Sequence, residues 1–263
     1  MAIKTVGVIG CGLMGAGITQ VCAQAGYKAI ACDTTTVQIN GGISRIDGIL
    51  SRNVSKGRLK ENEKSVILGR ITGTTNFEDL SSCELVIEAV TENLNTKQEI
   101  FRTVDKIVRP EALLASNTSS ISITELASVT DRPQQVLGLH FFNPVPVMPL
   151  LEIVEHEGVA PETIEIARLV AEAMGKTSIL VRDVPGFATS RLGVVLGNEA
   201  IRMLAEGVAS ASDIDTAMRL GYRHPMGPLE LSDLVGLDVR MDILNSLADA
   251  FEDDSYRPHP MLE

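Results

Sequence analysis

The sequence predicts an α/β protein in which a doubly wound, mostly parallel sheet is followed by an all-helical C-terminal domain. Short aliphatic runs alternate with helical patterns over the first two-thirds of the chain, which is typical of a parallel sheet covered by helices. The alternation ends at Val184-Pro185-Gly186, and only helical periods follow. We therefore expect one domain over residues 1–183 and a second over 184–263, and a length of 263 residues suits two domains.

Seven short aliphatic runs predict the strands of the sheet. They lie at residues 5–10, 28–33, 85–90, 113–116, 136–140, 151–154 and 178–181. Helical spacing fills several of the intervals, at 14–26, 96–108 and 162–174. The interval 36–68 is also helical, with a break at Gly57 that predicts an inserted helical hairpin. In the second domain, helices are predicted at 188–205, 212–220 and 229–251.

The composition argues against several classes of function. The net charge of −11 repels phosphate backbones and anionic membranes, and aromatic residues make up only 3% of the chain, so no nucleic-acid partner is expected. The uncharged stretch from Val6 to Tyr27 contains six glycines and changes from strand to helix periodicity, which argues against a signal peptide or a membrane span. Four cysteines without C-x-x-C spacing predict reduced thiols, a cytoplasmic location and no metal site.

A glycine-rich turn follows the first predicted strand and opens the first predicted helix. Its pattern, G-x-G-x-x-G, is that of a Rossmann-type dinucleotide site, in which the pyrophosphate lies on the helix N-terminus. Asp33 ends the second strand, and its carboxylate suits a free ribose 2′-hydroxyl and repels a 2′-phosphate, which favours NAD over NADP. The alternative is a glycine-rich turn that binds no ligand. The predicted cofactor contacts in this region are Gly10, Gly12, Leu13, Met14, Gly15 and Asp33.

A histidine ends the predicted strand 136–140, at the edge where ligand crevices of such sheets lie. A dehydrogenase that oxidises an alcohol needs a base for the hydroxyl proton, and histidine titrates in the useful range. Glu152 on the next strand could fix the tautomer of His140 and stabilise its imidazolium form. The residue types alone leave a second interpretation open, in which His140 is a core histidine with satisfied hydrogen bonds.

Five motifs carry a resemblance that extends over nearly the whole chain. They are Gly10-x-Gly-Leu-Met-Gly-Ala-Gly-Ile, Ser116-Asn-Thr-Ser-Ser, His140-Phe-Phe-Asn-Pro-Val-Pro-Val-Met, Pro185-Gly-Phe and His224-Pro-Met-Gly-Pro-Leu-Glu-Leu. In this order they resemble the L-3-hydroxyacyl-CoA dehydrogenase family, and most closely its short bacterial-type 3-hydroxybutyryl-CoA dehydrogenases. The resemblance implies NAD-dependent oxidation of a short-chain (S)-3-hydroxyacyl-CoA, or the reverse reduction, by a homodimer that associates through its C-terminal helices.

The resemblance also implies roles for individual residues. His140 would be the catalytic base and Glu152 its partner. Ser119 would hydrogen-bond the substrate oxygen, and Asn143 would help to hold substrate and nicotinamide. The further positions implied for the NAD site are Glu92, Lys97, Ser119 and Asn143, and those implied for the coenzyme A site are Ser51, Lys56, Arg58 and Ser119. Ser51–Lys64 holds five basic residues and two acidic ones, which suits a site for the phosphates of coenzyme A. The alternative interpretation of this cationic segment is a solvated helical face.

Three departures from the family pattern leave other functions open. Ser190 stands where the family usually has Asn and would take its place among the catalytic residues, since a serine can still donate one hydrogen bond. Pro149 stands where the family commonly has Lys, and the sequence stops at Glu263, before the family's usual closing tail. A β-hydroxyacid dehydrogenase acting on free acids is one alternative, although that class uses a lysine base. A non-enzymatic, NAD-binding structural protein on the same scaffold is the other.

Overall fold

The computed structural model describes residues 2–262, which contain one eight-stranded sheet. The strands are β1 (Thr5–Ile9), β2 (Lys28–Cys32), β3 (Ile71–Thr74), β4 (Leu85–Glu88), β5 (Leu113–Ser116), β6 (Val136–Phe141), β7 (Leu150–Glu155) and β8 (Thr177–Arg182). Their order across the sheet is β3-β2-β1-β4-β5-β6-β7-β8, and every neighbouring pair is parallel except the antiparallel pair β6 and β7. The predicted fold class is confirmed.

Helices connect the strands and make up most of the C-terminal third. They are α1 (Leu13–Gln24), α2 (Thr36–Ser55), α3 (Glu61–Leu68), α4 (Leu94–Ile107), α5 (Ile123–Ala127), α6 (Pro161–Ala173), α7 (Thr189–Ala205), α8 (Ala211–Gly221), α9 (Pro228–Val235) and α10 (Leu237–Phe251). Contacts divide the described chain into two compact units, one that ends at Asp183 and one that starts at Val184. No helix within residues 2–262 is long and apolar enough to cross a membrane.

The central strands are buried on both faces, which explains their aliphatic runs. All residues of β4, β5 and β6 are buried, as expected for parallel strands covered by helices on either side. Aliphatic side chains fill this core, since the chain contains no tryptophan. With the interior occupied by such side chains, polar chemistry is confined to the ends of the strands.

The largest differences from the sequence-based prediction concern β3 and the helix predicted over 229–251. β3 was not expected, because Ile71-Thr-Gly-Thr74 has one large apolar residue and lies at the edge of the sheet, where burial demands little of the sequence. Its Gly73 allows the close approach of α2, since a Cβ atom there would lie 2.3 Å from a methyl carbon of Ile39. The single helix predicted over 229–251 is wrong: Gly236, with φ of +103°, ends α9 and precedes α10.

In the C-terminal unit, the segment that starts at His224 closes a helix–helix junction. Asp215 of α8 accepts hydrogen bonds from the backbone N–H groups of Leu229 (2.8 Å) and Glu230 (3.0 Å) and so caps α9. A Cβ atom at Gly227 would lie 2.2 Å from the Asp215 side chain, so only glycine fits there. This part of the family resemblance therefore has a structural explanation.

Candidate active site

The carboxyl ends of four parallel strands bring most of the predicted site residues to one edge of the sheet. Gly10 follows β1, Asp33 follows β2, and Ser119 comes shortly after β5. His140 is the second-last residue of β6, which runs parallel to β5 and so ends at the same edge. Open α/β sheets bind ligands outside the carboxyl ends of their strands, so this edge is the candidate active site.

The turn between β1 and α1 has the shape that a dinucleotide phosphate requires. Gly10 has φ of +98°, and a Cβ atom at Gly15 would lie 1.7 Å from the carbonyl oxygen of Gly10, so both positions need glycine. No atom lies within 4 Å of the place that a Cβ of Gly12 would occupy, which leaves room for a ligand. No side chain caps α1 at Gly12, so the first N–H groups of α1, which begins at Leu13 and Met14, are available to an anion.

Asp33 lies beside this turn with its carboxylate half-buried. One oxygen accepts a hydrogen bond from the N–H of Cys11 at 2.6 Å, and the other accepts one from the N–H of Thr34 at 2.7 Å. A cleft of about 320 Å³ opens next to it, lined by the ends of β1 and β2 and by one face of α4. No lysine or arginine lines this cleft in the described part of the chain, so nothing there would pair with a 2′-phosphate.

His140 and Glu152 face each other across the antiparallel pair β6 and β7. They occupy directly opposite positions in the register, and His140 Nδ1 lies 2.7 Å from Glu152 Oε2. Both residues are buried, Glu152 completely. A carboxylate at Nδ1 selects the tautomer in which Nδ1 carries the proton and Nε2 carries the lone pair, and it would stabilise the imidazolium form.

Glu92 holds the loop that carries Ser119. Its Oε1 accepts hydrogen bonds from the backbone N–H groups of Ser119 (3.0 Å) and Ser120 (3.1 Å) and from the Thr118 hydroxyl. Burial alone would raise the pKa of Glu92, but the hydrogen bond from Thr118, the charge of Lys97 and the further hydrogen bonds outweigh it, so the pKa is lowered. The carboxylate is therefore held in its charged form next to the predicted substrate contact.

Behind this loop lies a buried ion pair that sequence reasoning recognised only in part. Lys97 is 1% exposed, and its Nζ contacts Glu88 Oε1 at 2.7 Å and Glu92 Oε2 at 3.3 Å. The other oxygen of Glu88 accepts a hydrogen bond from the Ser116 hydroxyl at 2.6 Å. Glu88 was missed, although a glutamate that ends the aliphatic run Leu85-Val-Ile is a usable signal, and Ser116 was noted only as the first residue of a family motif. Lys97 remains a prediction as a cofactor contact, and its burial favours a role in holding Glu92.

Asn143 follows β6 in the loop that connects it to β7. This residue is exposed, and the ring of Phe142 next to it lies 4.6 Å from the ring of His140. The carboxamide oxygen of Asn117 accepts a hydrogen bond from the N–H of Phe141 at 3.0 Å and fixes the end of the strand. The sequence therefore places Asn143 at the same edge as His140.

The remaining predicted residues lie on the hairpin formed by α2 and α3 or in the C-terminal unit. Ser51 lies on α2, and Lys56 and Arg58 are exposed in the turn between α2 and α3. Lys64 forms an ion pair with Asp47 at 2.8 Å and donates a hydrogen bond to Ser51 Oγ. Its charge is therefore neutralised within the hairpin, and four of the five basic residues of the cationic segment remain to bind a phosphate. Ser190 lies in the first turn of α7, in the C-terminal unit, and stays a prediction as a site residue.

Comparisons with known proteins identify the family of this chain. The family description "3-hydroxyacyl-CoA dehydrogenase, NAD binding domain" matches residues 5–184, and "3-hydroxyacyl-CoA dehydrogenase, C-terminal domain" matches residues 186–263. The 3-hydroxybutyryl-CoA dehydrogenase of Bradyrhizobium diazoefficiens is 43% identical, with 99% of this chain and 89% of that protein covered. The human mitochondrial hydroxyacyl-coenzyme A dehydrogenase is 40% identical, with 99% and 85% covered.

A solved structure shows the same similarity in three dimensions. The crystal structure of (S)-3-hydroxybutyryl-CoA dehydrogenase from Ralstonia eutropha is 41% identical, covers 99% of this chain and 92% of that chain, and superposes with a TM-score of 0.97. Together with the glycine turn and Asp33, the matched NAD binding domain makes NAD the cofactor. The chain therefore belongs to the 3-hydroxyacyl-CoA dehydrogenase family, and it is an oxidoreductase that carries the family's NAD-binding and C-terminal domains in that order.

Proposed function

We propose that this enzyme oxidises short-chain (S)-3-hydroxyacyl-CoA, such as 3-hydroxybutyryl-CoA, to the 3-oxoacyl-CoA, or runs the reverse reduction. The observation that carries this proposal is the His140–Glu152 pair, at the sheet edge that also holds the NAD turn. The substrate class is supported by the names of relatives such as those from Bradyrhizobium and Ralstonia. Bound NAD supplies the acceptor for the hydride that leaves the carbon bearing the hydroxyl.

In this proposal His140 removes the hydroxyl proton. Because Nδ1 faces the buried carboxylate of Glu152, Nε2 is the nitrogen that accepts it, and the imidazolium that forms is stabilised by the negative charge of Glu152. Ser119 hydrogen-bonds the substrate oxygen, and Asn143 orients the substrate against the nicotinamide. Ser190 remains a predicted catalytic residue that would donate one hydrogen bond.

The α2–α3 hairpin binds the phosphates of coenzyme A in this proposal. We expect Lys56→Ala with Arg58→Ala to raise KM for the acyl-CoA about two- to tenfold, since an exposed ion pair contributes about 0.2–1 kcal/mol. The increase should be greater at low salt, because salt screens exposed charges, and KM for NADH should change little. Steady-state kinetics over a salt series measures both effects.

The matched control for the hairpin is Lys4→Ala with Lys28→Ala, which removes the same charge from exposed positions at the amino ends of β1 and β2. KM for acyl-CoA should stay at the wild-type value in this variant. If the two double variants raise KM equally, the effect belongs to net charge and the hairpin is not the phosphate site.

Asp33 sets the preference for NAD in this proposal. Asp33→Ser with Thr34→Arg should raise the ratio of kcat/KM for NADP to that for NAD by at least about tenfold, because a charge-assisted hydrogen bond contributes about 1.5–3 kcal/mol. The ratio is the right measure because Asp33 also accepts the Cys11 N–H, so its loss should lower both activities. A wild-type enzyme that used NADPH as well as NADH would contradict this assignment.

The C-terminal helices mediate homodimer formation in this proposal. Leu192 and Leu234 are each 71% exposed in that unit, and large apolar side chains at such exposure favour burial against a partner. A cytoplasmic location is proposed from the four cysteines, all of which are buried free thiols.

One experiment separates the proposal from its alternatives. Purified enzyme is given NADH with acetoacetyl-CoA, or with free acetoacetate, and NADH oxidation is followed by absorbance. Turnover of the CoA thioester with little turnover of the free acid supports the proposal. The reverse preference would favour a β-hydroxyacid dehydrogenase, and NADH binding without turnover of either would favour a non-enzymatic NAD-binding protein.

A further inference from the structure

A second cation, half-buried, lies at the active edge of the sheet, and nothing in the proposed reaction uses it. The ammonium of Lys176 donates hydrogen bonds to the carbonyl oxygens of Val145 (2.5 Å) and Met148 (2.7 Å). Both acceptors belong to the loop that connects β6 to β7 and carries Asn143. Within residues 2–262, no carboxylate forms an ion pair with Lys176, and burial lowers its pKa. The charge is therefore held by the carbonyl dipoles of this loop.

The composition of the loop explains why it needs such a donor. Three of the seven loop residues 143–149 are prolines, at positions 144, 146 and 149, and proline has no N–H to donate. The N–H groups of Val147 and Met148 both go to the carbonyl of Pro144. The carbonyls of Val145 and Met148, which precede two of the prolines, receive their hydrogen bonds from Lys176. An ammonium carries three donors and can serve both at once.

The backbone of Lys176 is fixed by the way in which α6 ends. Gly175 has φ of +69°, its N–H bonds to the carbonyl of Glu172, and the N–H of Lys176 bonds to the carbonyl of Ala171. These two bonds form a Schellman motif, in which a glycine in the left-handed region ends the helix. The next residue, Thr177, starts β8 and donates its N–H to the carbonyl of Pro149. Lys176 is thus held on both sides before its side chain reaches the loop.

The loop has a second fixed point, on the helix that follows the phosphate turn. The side chain of Val145 is buried against Gly17 of α1. The contact is so close that a Cβ atom added to Gly17 would lie 2.8 Å from the Cβ of Val145. With Val145 packed there and the carbonyls of Val145 and Met148 bonded to Lys176, the loop has little freedom. Asn143 lies between the end of β6 and Val145. Its position therefore depends on the packing of Val145 and on the hydrogen bonds from Lys176.

We propose that Lys176 is a positioning residue, which holds the loop of residues 143–149 and so places Asn143 against the substrate. The proposal rests on the proposed function of Asn143. Lys176 itself touches neither substrate nor cofactor in this account, and it acts through the loop. Its removal should therefore affect turnover through Asn143 and leave the NAD turn, which lies on β1 and α1, intact.

The kinetic test compares Lys176→Met, Asn143→Ala and the double variant in the reduction of acetoacetyl-CoA. We expect Lys176→Met to lower kcat about ten- to a hundredfold, the size of effect that a displacement near 1 Å produces. The Kd for NADH, measured by fluorescence, should stay within about twofold. Because Lys176 acts through Asn143, the double variant should be no slower than Asn143→Ala alone. Multiplicative effects would mean that Lys176 acts independently of Asn143 and would overturn the proposal.

Two further variants keep the test falsifiable. Lys176→Arg retains donors and should recover most of kcat, whereas Lys176→Gln should not, so the ranking remains informative if Lys176→Met fails to fold. Lys28→Met removes an exposed positive charge from the start of β2 and should leave kcat unchanged. A folded Lys176→Met enzyme with normal kcat would overturn the proposal.

Amide hydrogen exchange tests the loop without reference to the reaction. In Lys176→Met, the amides of Val147 and Met148 should exchange faster, while those of β7 should not change. If the wild type fails to reduce acetoacetyl-CoA, the proposed function fails, and the exchange measurement still decides whether Lys176 holds the loop. Unchanged exchange of these two amides would overturn the proposal whatever the activity.

Discussion

His140→Gln is expected to lower kcat by about 10²–10⁴-fold, the usual contribution of a general base, while NADH binding stays close to that of the wild type. Glutamine retains a polar side chain of similar reach but cannot accept a proton at neutral pH. The cofactor turn after β1 is built from backbone and glycines and does not involve the histidine. Stopped-flow or steady-state oxidation of 3-hydroxybutyryl-CoA, with NADH binding by fluorescence, measures the two quantities.

The partner carboxylate supplies a second arm of this test. Glu152→Gln keeps a group opposite His140 Nδ1 but removes the charge that stabilises the imidazolium, so kcat should fall less and its pH dependence should shift. Because the two residues act as a unit, the double variant should be little slower than His140→Gln alone. A fully multiplicative double variant would show that they work independently.

The chain offers a matched control in a second buried histidine, which lies at the opposite edge of the sheet. His156 directly follows β7, its Nε2 lies 3.0 Å from the carbonyl oxygen of Pro133, and its Nδ1 accepts the N–H of Gly158. This residue has the satisfied hydrogen bonds of a core histidine. His156→Gln should lower the melting temperature and leave kcat of the folded enzyme unchanged. Near-normal kcat in a folded His140→Gln enzyme would place His140 in the same structural class.

The residues at strand ends could be predicted from the sequence because two constraints coincide there. An aliphatic run fixes a strand, and the polar residue that ends it must lie at the edge of the sheet, as Asp33 and His140 do. The strand register adds the pairing of His140 with Glu152, which the sequence alone does not fix. The connection of residues 142–149 is too short for a crossover, so β6 and β7 are antiparallel and His140 lies directly opposite Glu152.

Contacts between distant segments could not be predicted in the same way. Lys64 counted as one cation among five in the sequence, and only the packing of α3 on α2 pairs it with Asp47. Lys176 gave no signal, because its two acceptors are carbonyl groups, which every residue has. Glu88 was interpreted as part of an aliphatic strand. Its charge is explained only by the folded structure, in which α4 places Lys97 beside it.

The buried Lys97 provides the second large expected effect. Lys97→Met should lower the free energy of unfolding by about 3–5 kcal/mol, because it leaves the carboxylate of Glu88 buried without its counter-charge. Methionine fills a similar volume, so the loss reflects charge more than packing. Lys106→Met, an exposed position near the end of the same helix, is the control and should change stability by less than about 1 kcal/mol. Urea unfolding of both variants measures the difference.

The double variant Lys97→Met with Glu88→Gln distinguishes charge burial from packing. Removing both charges should recover a large part of the stability that Lys97→Met loses, since a neutral amide can still accept the hydrogen bond from Ser116. If the double variant is as unstable as Lys97→Met, the lysine stem and its packing carry the effect instead. The ionic interpretation of this cluster would then be wrong.

The pH dependence of stability gives an independent reading of the same cluster. The lowered pKa of Glu92 means that the folded state favours its ionised form, so this contribution is present above the ordinary carboxyl pKa and is lost as pH falls through the lowered value. Lys97 supplies part of that lowering, so Lys97→Met should raise the pKa of Glu92 towards its usual value. The stability difference between wild type and Lys97→Met should therefore shrink as the solution is acidified into this range. A difference that stays constant down to the acid transition would show that Lys97 does not act on Glu92 through its charge.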